Sequence, residues 1–266
     1  VCAWVALEGL LFTVRAVQRR LRWERDYVRE REEFRQRVEA TARAARAGKA
    51  IADWEGWRPF RVAAIVDEAR DVKSFYFSPV DGRPLSPFAP GQFLTFRLPL
   101  PGGGTPLVRC YSLSDRPRED FYRCTIKRVT AKRVVAPEAR PELPGGRGSG
   151  FFHNHVRVGD VIDVRAPGGT FLLDAAASDP IVLIGAGIGI TPLVSMLDAI
   201  LHINPKREVY ALLGFRNGRD HPFREWLNKL VQEHPNVHLH VSYSAPDTSD
   251  VLYRDYNHGG RMTIER

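Results

Sequence analysis

The chain has 266 residues, 44% of them hydrophobic, which is enough to bury the core of one large or two ordinary domains. Its formal net charge of +8 suits anionic cofactors, acidic redox partners or a membrane face. Because the sequence contains no helix-turn-helix pattern, zinc-finger spacing or RNP-like aromatic motif, we predict no nucleic-acid partner. Three cysteines, Cys2, Cys110 and Cys124, are too few and too dispersed for a disulfide framework or a plant-type iron–sulfur cluster.

Residues 1–52 have a helical composition, and we predict one long helix there. Its apolar residues recur at spacings of three and four: Leu7, Leu10, Val14, Val17, Leu21, Val28 and Val38. Two interpretations stay open. The helix is either an exposed amphipathic or coiled-coil linker, or the cytoplasmic end of a membrane helix followed by positive-inside arginines. We therefore expect a cytoplasmic protein, either free or at the cytoplasmic face of a membrane. Because the chain starts at Val1 rather than Met, we also expect it to be part of a longer one.

From Trp57 onwards, short β-branched and aromatic runs are separated by Pro and Gly, a spacing typical of an antiparallel barrel or sandwich. We predict a six-stranded antiparallel β-barrel within a domain at 53–178. The six predicted strands are Phe60–Val66, Val72–Phe77, Gln92–Leu98, Leu107–Ser114, Tyr122–Val129 and Val161–Arg165. The basic, Pro- and Gly-rich segment Thr130–Gly148 has no periodicity, so we predict a mobile loop there.

The remaining part of the chain, 179–266, alternates apolar strands with helices, which indicates a parallel α/β layer. The predicted elements are a buried strand, a helix, a strand, a helix and a strand, at Ile181–Ile184, Thr191–His202, Glu208–Leu213, Pro222–Glu233 and Val237–Tyr243. The predicted fold class is therefore a multidomain protein of α and β structure: an N-terminal helix, an antiparallel barrel and a parallel-sheet domain.

The segment Arg109–Ser114 combines residue types that bind a nucleotide. Side chains alternate across a strand, so Arg109 and Tyr111 share one face while Ser112 lies on the other. A guanidinium binds phosphate through charge-assisted hydrogen bonds, a tyrosine offers a flat ring and a serine a short donor. The alternative is an ordinary strand whose arginine pairs with an acid.

A second candidate is the glycine turn Ile184–Pro192, which follows a buried strand and opens a helix. Glycines let the backbone approach a pyrophosphate, and we expect Thr191 to cap the helix and Pro192 to lie in its first turn. The turn departs from the G-x-G-x-x-G dinucleotide fingerprint because Ile190 occupies the third glycine position.

Arg109–Ser112 resembles the R-x-Y-S flavin motif of the ferredoxin–NADP reductase superfamily, and Pro90–Phe93 precedes it in the expected place. Within the superfamily the chain is most similar to the reductase halves of bacterial flavohemoglobins and of NAD(P)H-dependent oxygenase systems. Further matches in chain order are the flavin-contact strand Thr125–Val129, the G-x-x-S phosphate turn Gly146–Ser149, the closing barrel strand Gly159–Phe171 and the G-x-G-x-G-x-T-P nicotinamide motif Gly185–Pro192.

The resemblance implies FAD and NAD(P)H as cofactors and gives roles to residues. Arg109 would bind the FAD pyrophosphate, Tyr111 would pack on the flavin, and Ser112 would lie near flavin N5, which makes Tyr111 and Ser112 the predicted catalytic residues. The other predicted cofactor-binding residues are Gly146, Gly148 and Ser149 around the phosphate, the backbone of Ile126, Lys127 and Arg128 at the flavin ring, and Gly185, Gly187, Gly189, Thr191 and Pro192 at the nicotinamide nucleotide.

Arg216 is the predicted determinant of nicotinamide choice. No acid ends the second strand of the α/β layer, where an NAD-specific fold places one, and Arg216 and Arg219 leave room for a 2′-phosphate. The pair Arg216–Asn217 also resembles NADH-using relatives, so we expect NAD(P)H with a slight preference for NADH.

No metal site is predicted. His153 and His155 are not accompanied by a cluster of carboxylates or cysteines, and similar histidines in the superfamily hold no metal. Cys110 and Cys124 are interpreted as buried strand residues. A [2Fe-2S] cluster is expected only outside this part of the chain.

The resemblance implies a reductase that takes hydride from NAD(P)H onto FAD and passes single electrons to a [2Fe-2S] domain, a haem protein or oxygenase, or a membrane metal centre. That acceptor would lie in the same longer polypeptide or in a separate chain. The alternative function is a non-catalytic flavin-binding or assembly module. Because the sequence stops shortly after Gly260–Ile264, without the further strand and C-G-P-like turn of the superfamily, we expect the nucleotide domain to be incomplete.

Overall fold

The structure is a computed structural model that describes residues 54–99, 104–130 and 145–263. The predicted N-terminal helix at 1–52 and most of the predicted loop at 130–148 lie outside these residues. Among the helices that the structure describes, none is long and apolar enough to cross a membrane.

The first half of the described chain forms a six-stranded antiparallel sheet, as predicted, in the order β4-β3-β6-β1-β2-β5. In β3, alternate residues contribute to the apolar core: Leu94, Phe96 and Leu98 are fully buried while the residues between them are partly exposed. The strands are β1 (Arg58–Ala69), β2 (Val72–Pro79), β3 (Phe93–Leu98), β4 (Leu107–Ser112), β5 (Tyr122–Lys127) and β6 (Val161–Gly168).

The prediction of a barrel is corrected, because this sheet does not close. A single bridge between Leu113 and Cys124, rather than a ladder, joins the edges formed by β4 and β5. Helix α1 (Arg147–Asn154) packs against both edge strands. Its Phe152 contacts the rings of Phe96 and Tyr111 at centroid distances of 5.3 Å each, so the helix fills the end of the apolar interior.

Helix α1 was not predicted. Its sequence, RGSGFFHN, contains two glycines, and no side chain caps its N-terminus at Gly146. Glycine lowers helix propensity, so tertiary packing of Phe152 rather than local preference accounts for the helix.

The second half forms a four-stranded parallel sheet in the order β10-β9-β8-β7, which confirms the predicted α/β layer. The prediction that the strand at Ile181–Ile184 is buried is corrected, because this strand lies at the edge of the sheet and its Val182 and Ile184 are exposed. The register pairs Ala186 with Gly214 and Phe215 with Tyr243, so the carboxyl ends of the strands meet at one edge. The elements are β7 (Ile181–Ala186), α2 (Ile190–Ile203), β8 (Val209–Phe215), α3 (Arg224–Glu233), β9 (Val237–Tyr243) and β10 (His258–Gly259).

Polar contacts join the two sheets. The Ser195 hydroxyl on α2 donates to the carbonyl oxygen of Asp115 at 2.7 Å. Arg70, after β1, pairs with Asp220 at 2.5 Å.

Gly91 marks a close approach: at its φ of +103°, a Cβ would lie 1.9 Å from the carbonyl oxygen of Phe171. A side chain is therefore excluded at this position.

Candidate functional site

A cavity of about 550 Å³ lies where β4, β5, the start of α1 and the glycine turn after β7 meet. Its volume is within the range of ligand pockets. It brings together predicted residues from all four motifs: Arg109, Tyr111, Ser112, Ile126, Lys127, Gly146, Gly148, Ser149, Gly189, Thr191 and Pro192.

Four predicted residues do not line this cavity: Arg128, Gly185, Gly187 and Arg216. The guanidinium of Arg128 donates to the carboxylate of Asp71. Gly185 packs instead against the helix that follows it, where a Cβ would lie 2.6 Å from Leu193 Cδ1. Gly187 lies in the turn with a φ of +53°, which favours glycine.

Arg109 lies exposed on β4, with its charge available to a ligand. Its Nη1 donates to the carbonyl oxygen of Val108 at 2.7 Å, and no acidic residue in the described part of the chain pairs with it. This finding disfavours the alternative of an arginine held by an acid. Beside it, α1 begins without a side-chain cap and without an acidic residue in its first turn. Uncapped N-terminal amides and a guanidinium together form an anion site.

Gly148 lets α1 reach β4. A Cβ on Gly148 would lie 2.9 Å from both Arg109 Cγ and the Tyr111 hydroxyl oxygen, closer than side chains pack. The helix backbone therefore rests directly on the two β4 side chains for which the sequence predicts flavin contacts. Any larger residue at this position would push the helix and the strand apart.

Tyr111 presents a ring held at fixed orientation. It packs edge-on against the Phe152 ring, with an angle of 85° between the two ring planes. Burial raises the pKa of its hydroxyl to about 12, so the phenol stays protonated and neutral around pH 7. Ser112, the next residue, lines the same cavity, and its hydroxyl has no hydrogen-bond partner among the described residues.

Ser149 holds the turn before α1. Its hydroxyl donates to the carbonyl oxygen of Gly146 at 3.3 Å and accepts from the amide of Val129 at 3.1 Å. The side chain thus fixes the backbone of Gly146–Ser149, which lines the cavity.

The glycine turn differs from its prediction in one detail. Residues Gly187–Gly189 form a 3₁₀ turn, and α2 begins at Ile190 with Gly189 as its N-cap. The prediction that Thr191 caps the helix is therefore wrong, because Thr191 already lies within the first turn. Its hydroxyl donates back to the carbonyl oxygen of Ile188 at 3.0 Å.

His153, on α1, forms a hydrogen bond with the backbone of β5. Its Nε2 lies 2.8 Å from the carbonyl oxygen of Ile126, and burial lowers its pKa, which favours the neutral ring with Nε2–H as donor. Sequence reasoning assigned no role to His153. The described residues contain no group of three or more His, Cys, Asp or Glu that could hold a metal.

The cavity wall also contains residues that sequence reasoning left out: Cys110, Thr125, Val129, Arg147 and Ile188. Each lies within or beside a predicted motif, so the motif was the available signal. The interpretation of Cys110 as a buried residue is corrected. It is exposed, and its sulfur lies 3.4 Å from the Thr95 hydroxyl oxygen. Cys124, on β5, is buried because its side chain faces the apolar interior.

Comparison with known proteins identifies relatives of this chain. Residues 183–259 match the oxidoreductase NAD-binding domain family. A flavohemoprotein of Chromobacterium violaceum is 37% identical over 82% of this chain and 52% of its own length. A flavohemoprotein of Rhodopirellula baltica is 41% identical over 79% of this chain and 50% of its own length. The chain thus spans about half the length of the curated relatives that it matches.

Among solved structures, the flavohem-like FAD/NAD-binding domain of nitric oxide dioxygenase from Vibrio cholerae is similar over 79% of this chain and 81% of its own, with a TM-score of 0.65 and 27% identity. The chain belongs to the ferredoxin–NADP reductase superfamily. Phthalate dioxygenase reductase is similar over 75% of this chain and 55% of its own, with a TM-score of 0.55 and 27% identity. Superfamily membership confirms the resemblance drawn from the motifs.

Proposed function

We propose that the chain is the FAD- and NAD(P)H-binding part of a reductase, which takes hydride from NAD(P)H onto FAD and passes single electrons to a separate redox centre. The observation that carries this proposal is the single cavity in which the flavin-type strand, the phosphate-type helix start and the nicotinamide-type glycine turn meet. In this proposal, 53–178 is the FAD domain, 179–266 is the NAD(P)H domain, and 1–52 is a helical linker.

The residues present fit FAD. A pyrophosphate needs donors and positive charge, and Arg109, Arg147 and the uncapped amides of α1 supply both. A flavin ring needs a flat partner and backbone donors, for which Tyr111 and the β5 segment at Ile126 and Lys127 are placed in the same wall. Gly148 provides the close approach of helix to strand that this arrangement requires.

The residues of the glycine turn fit a nicotinamide nucleotide. Gly189, Thr191 and Pro192 border the cavity from the parallel sheet, at the carboxyl ends of its strands, where ligands bind in open α/β sheets. Arg216, one residue after β8, lies at this same edge and is exposed. We propose that it meets the adenosine ribose of NAD(P)H.

The chemistry follows from positioning. Bound FAD supplies the ability to accept an electron pair as hydride and to release electrons singly. The protein orients the reactants within one cavity, where Tyr111 remains a neutral donor and the free hydroxyl of Ser112 can hydrogen-bond the ring edge. No acid–base group is needed for hydride transfer itself.

The electron acceptor is proposed to be a [2Fe-2S] centre, a haem or another metal centre outside the described residues. The similar proteins support this range. They include flavohemoproteins such as that of Chromobacterium violaceum, and phthalate dioxygenase reductase, whose electron transfer runs from pyridine nucleotides to [2Fe-2S].

The test is an anaerobic visible spectrum of the purified protein before and after addition of NADH or NADPH. The expected result is a yellow protein that either nucleotide bleaches. A colourless protein that takes up no added FAD would contradict the proposal. A yellow protein that neither nucleotide bleaches would instead indicate the non-catalytic flavin-binding module.

A further inference from the structure

Three buried hydroxyls form a connected cluster on the outer face of the antiparallel sheet. Ser74 on β2, Thr125 on β5 and Ser114 after β4 are 0%, 3% and 0% exposed. Their side chains point away from the apolar interior, because alternate residues such as Phe75 and Cys124 occupy that interior. Buried hydroxyls in such a place need hydrogen-bond partners, and these three are partners of one another.

The cluster is anchored at Glu68. The Ser74 hydroxyl donates to Glu68 Oε1 at 2.6 Å, and the Ser74 and Thr125 oxygens lie 2.7 Å apart. Because the Ser74 proton is directed to the carboxylate, Thr125 must donate to Ser74. The carboxylate thus orients both hydrogen bonds in the series from Thr125 to Glu68 in the same direction.

The two ends of this hydrogen-bonded series lie in different cavities. Thr125 lines the proposed flavin cavity. Glu68 lines a second cavity of about 710 Å³, whose other charged or titratable residues are Asp67, His221, Arg224 and Glu225. The three side chains Thr125, Ser74 and Glu68 therefore connect the site to a separate opening at hydrogen-bond distances throughout.

We propose that Thr125, Ser74 and Glu68 form a path by which protons leave the flavin cavity. The inference rests on the proposed function. Oxidation of one NAD(P)H by two one-electron acceptors gives NAD(P)⁺, two electrons and one proton, and that proton must leave the flavin cavity. Thr125 accepts it while passing its own hydroxyl proton to Ser74. Ser74 passes its proton in turn to the Glu68 carboxylate, which releases it into the second cavity.

Ser114 provides a matched control within the same cluster. It is as buried as Ser74 and lies 2.8 Å from the same Thr125 oxygen, but its other contact is the carbonyl oxygen of Arg123 at 3.3 Å. A carbonyl oxygen cannot pass a proton onward. Ser114 is therefore a dead end, and Ser114→Ala removes a hydroxyl from the cluster without interrupting the path.

The experiment separates electron release from proton release. FAD-loaded protein is reduced anaerobically with one equivalent of NADH and then mixed rapidly with ferricyanide, a one-electron acceptor, and a pH-indicator dye. In the parent protein and in Ser114→Ala, the dye should report protons as fast as ferricyanide is consumed. In Thr125→Val and Glu68→Gln, proton appearance should slow by about a hundredfold or more, the scale of a lost proton-transfer group.

Three further measurements make the result specific. Thr125→Ser, which keeps the hydroxyl, should restore prompt proton release, and thermal melting should show that all variants fold. Redox-induced infrared difference spectra should contain a carboxyl band that Glu68→Gln removes. Simultaneous proton and electron signals in Thr125→Val would overturn the path while leaving the reductase intact. Failure of NADH to bleach the parent flavin would overturn the proposed function and this inference with it.

Discussion

Arg109 is exposed on β4, and its guanidinium forms no ion pair with any acidic residue in the described part of the chain. We expect Arg109→Ala to weaken FAD binding by about 1.5 to 3 kcal/mol, which is roughly tenfold to a hundredfold in Kd, because a charge-assisted phosphate contact is lost. Titration of FAD into flavin-free protein, followed by fluorescence, measures this change. Arg61→Ala is the matched control, since Arg61 is exposed on β1 and donates to the carbonyl oxygen of Gly159. Equal FAD affinity in the two variants would refute the role of Arg109.

Arg216 and Arg219 allow a similar comparison for nucleotide choice. Arg219 is held by Asp247 through hydrogen bonds of 2.7 and 2.8 Å, whereas Arg216 pairs with no acid in the described part of the chain. We expect Arg216→Ala to raise the KM for NADPH more than the KM for NADH, because only NADPH carries the 2′-phosphate. Steady-state kinetics with both nucleotides measure the ratio, which Arg219→Ala should leave unchanged. An unchanged ratio in Arg216→Ala would place the determinant of selectivity elsewhere.

Helix α1 is the element on which the phosphate end of the site depends. Gly148→Ala places a methyl group 2.9 Å from Arg109 Cγ and the Tyr111 hydroxyl, so we expect lower stability and lower FAD affinity. Gly150→Ala, two residues later in the same helix, meets nothing nearer than 4.0 Å and should stabilise the protein by about 0.5 to 1 kcal/mol. Urea unfolding and FAD titration of both variants make the comparison. A Gly148→Ala protein that binds FAD normally would show that helix and strand can separate without harm.

The elements that could be predicted from sequence are those whose pattern is local. Strand β3 alternates buried and partly exposed residues, and α2 follows an apolar strand and a glycine turn, so both were predicted. Helix α1 has no such pattern, since its existence depends on Phe152 reaching rings from distant strands. The gap between β4 and β5 likewise could not be predicted from their sequences, because it depends on contacts between distant parts of the chain.

His221 makes the stability of the whole molecule sensitive to acid. Its ring stacks on Phe215 at 3.9 Å, its Nδ1 lies 2.9 Å from the Tyr243 hydroxyl, and its Nε2 is buried without a hydrogen-bond partner among the described residues. Burial lowers its pKa from 6.5 to about 3. Between these values the unfolded chain binds a proton that the folded protein does not, so stability is full above pH 6.5 and falls as the pH drops towards 3.

The expected change can be measured by chemical unfolding at two pH values. From pH 7.5 to pH 5, the free energy of unfolding should fall by about 2 kcal/mol more in the parent protein than in His221→Gln, which cannot titrate there. His202→Gln changes an exposed histidine on α2 and should behave like the parent. Identical pH dependence in His221→Gln and the parent would exclude His221 as the source.

The site as a whole was predictable only in pieces. Arg109, Gly148 and Thr191 were found because each belongs to a short motif, but their meeting in one cavity depends on contacts across more than 80 residues of sequence. Arg128 shows the limit of motif reasoning: it continues the β5 motif, yet its guanidinium turns to Asp71. The hydroxyl path was not predicted because Glu68, Ser74 and Thr125 become neighbours only through the pairing of β1 with β2 and of β2 with β5.

The exposed thiol of Cys110 can report whether the cavity is occupied. It lies in the cavity wall, whereas Cys124 is buried and burial raises its pKa, so an alkylating reagent distinguishes the two. In a Cys2→Ser background, the alkylation rate of Cys110 should fall as the cavity fills. Fragments of the dinucleotide that carry no visible colour, such as adenosine diphosphate, could then be ranked for binding by mass spectrometry alone.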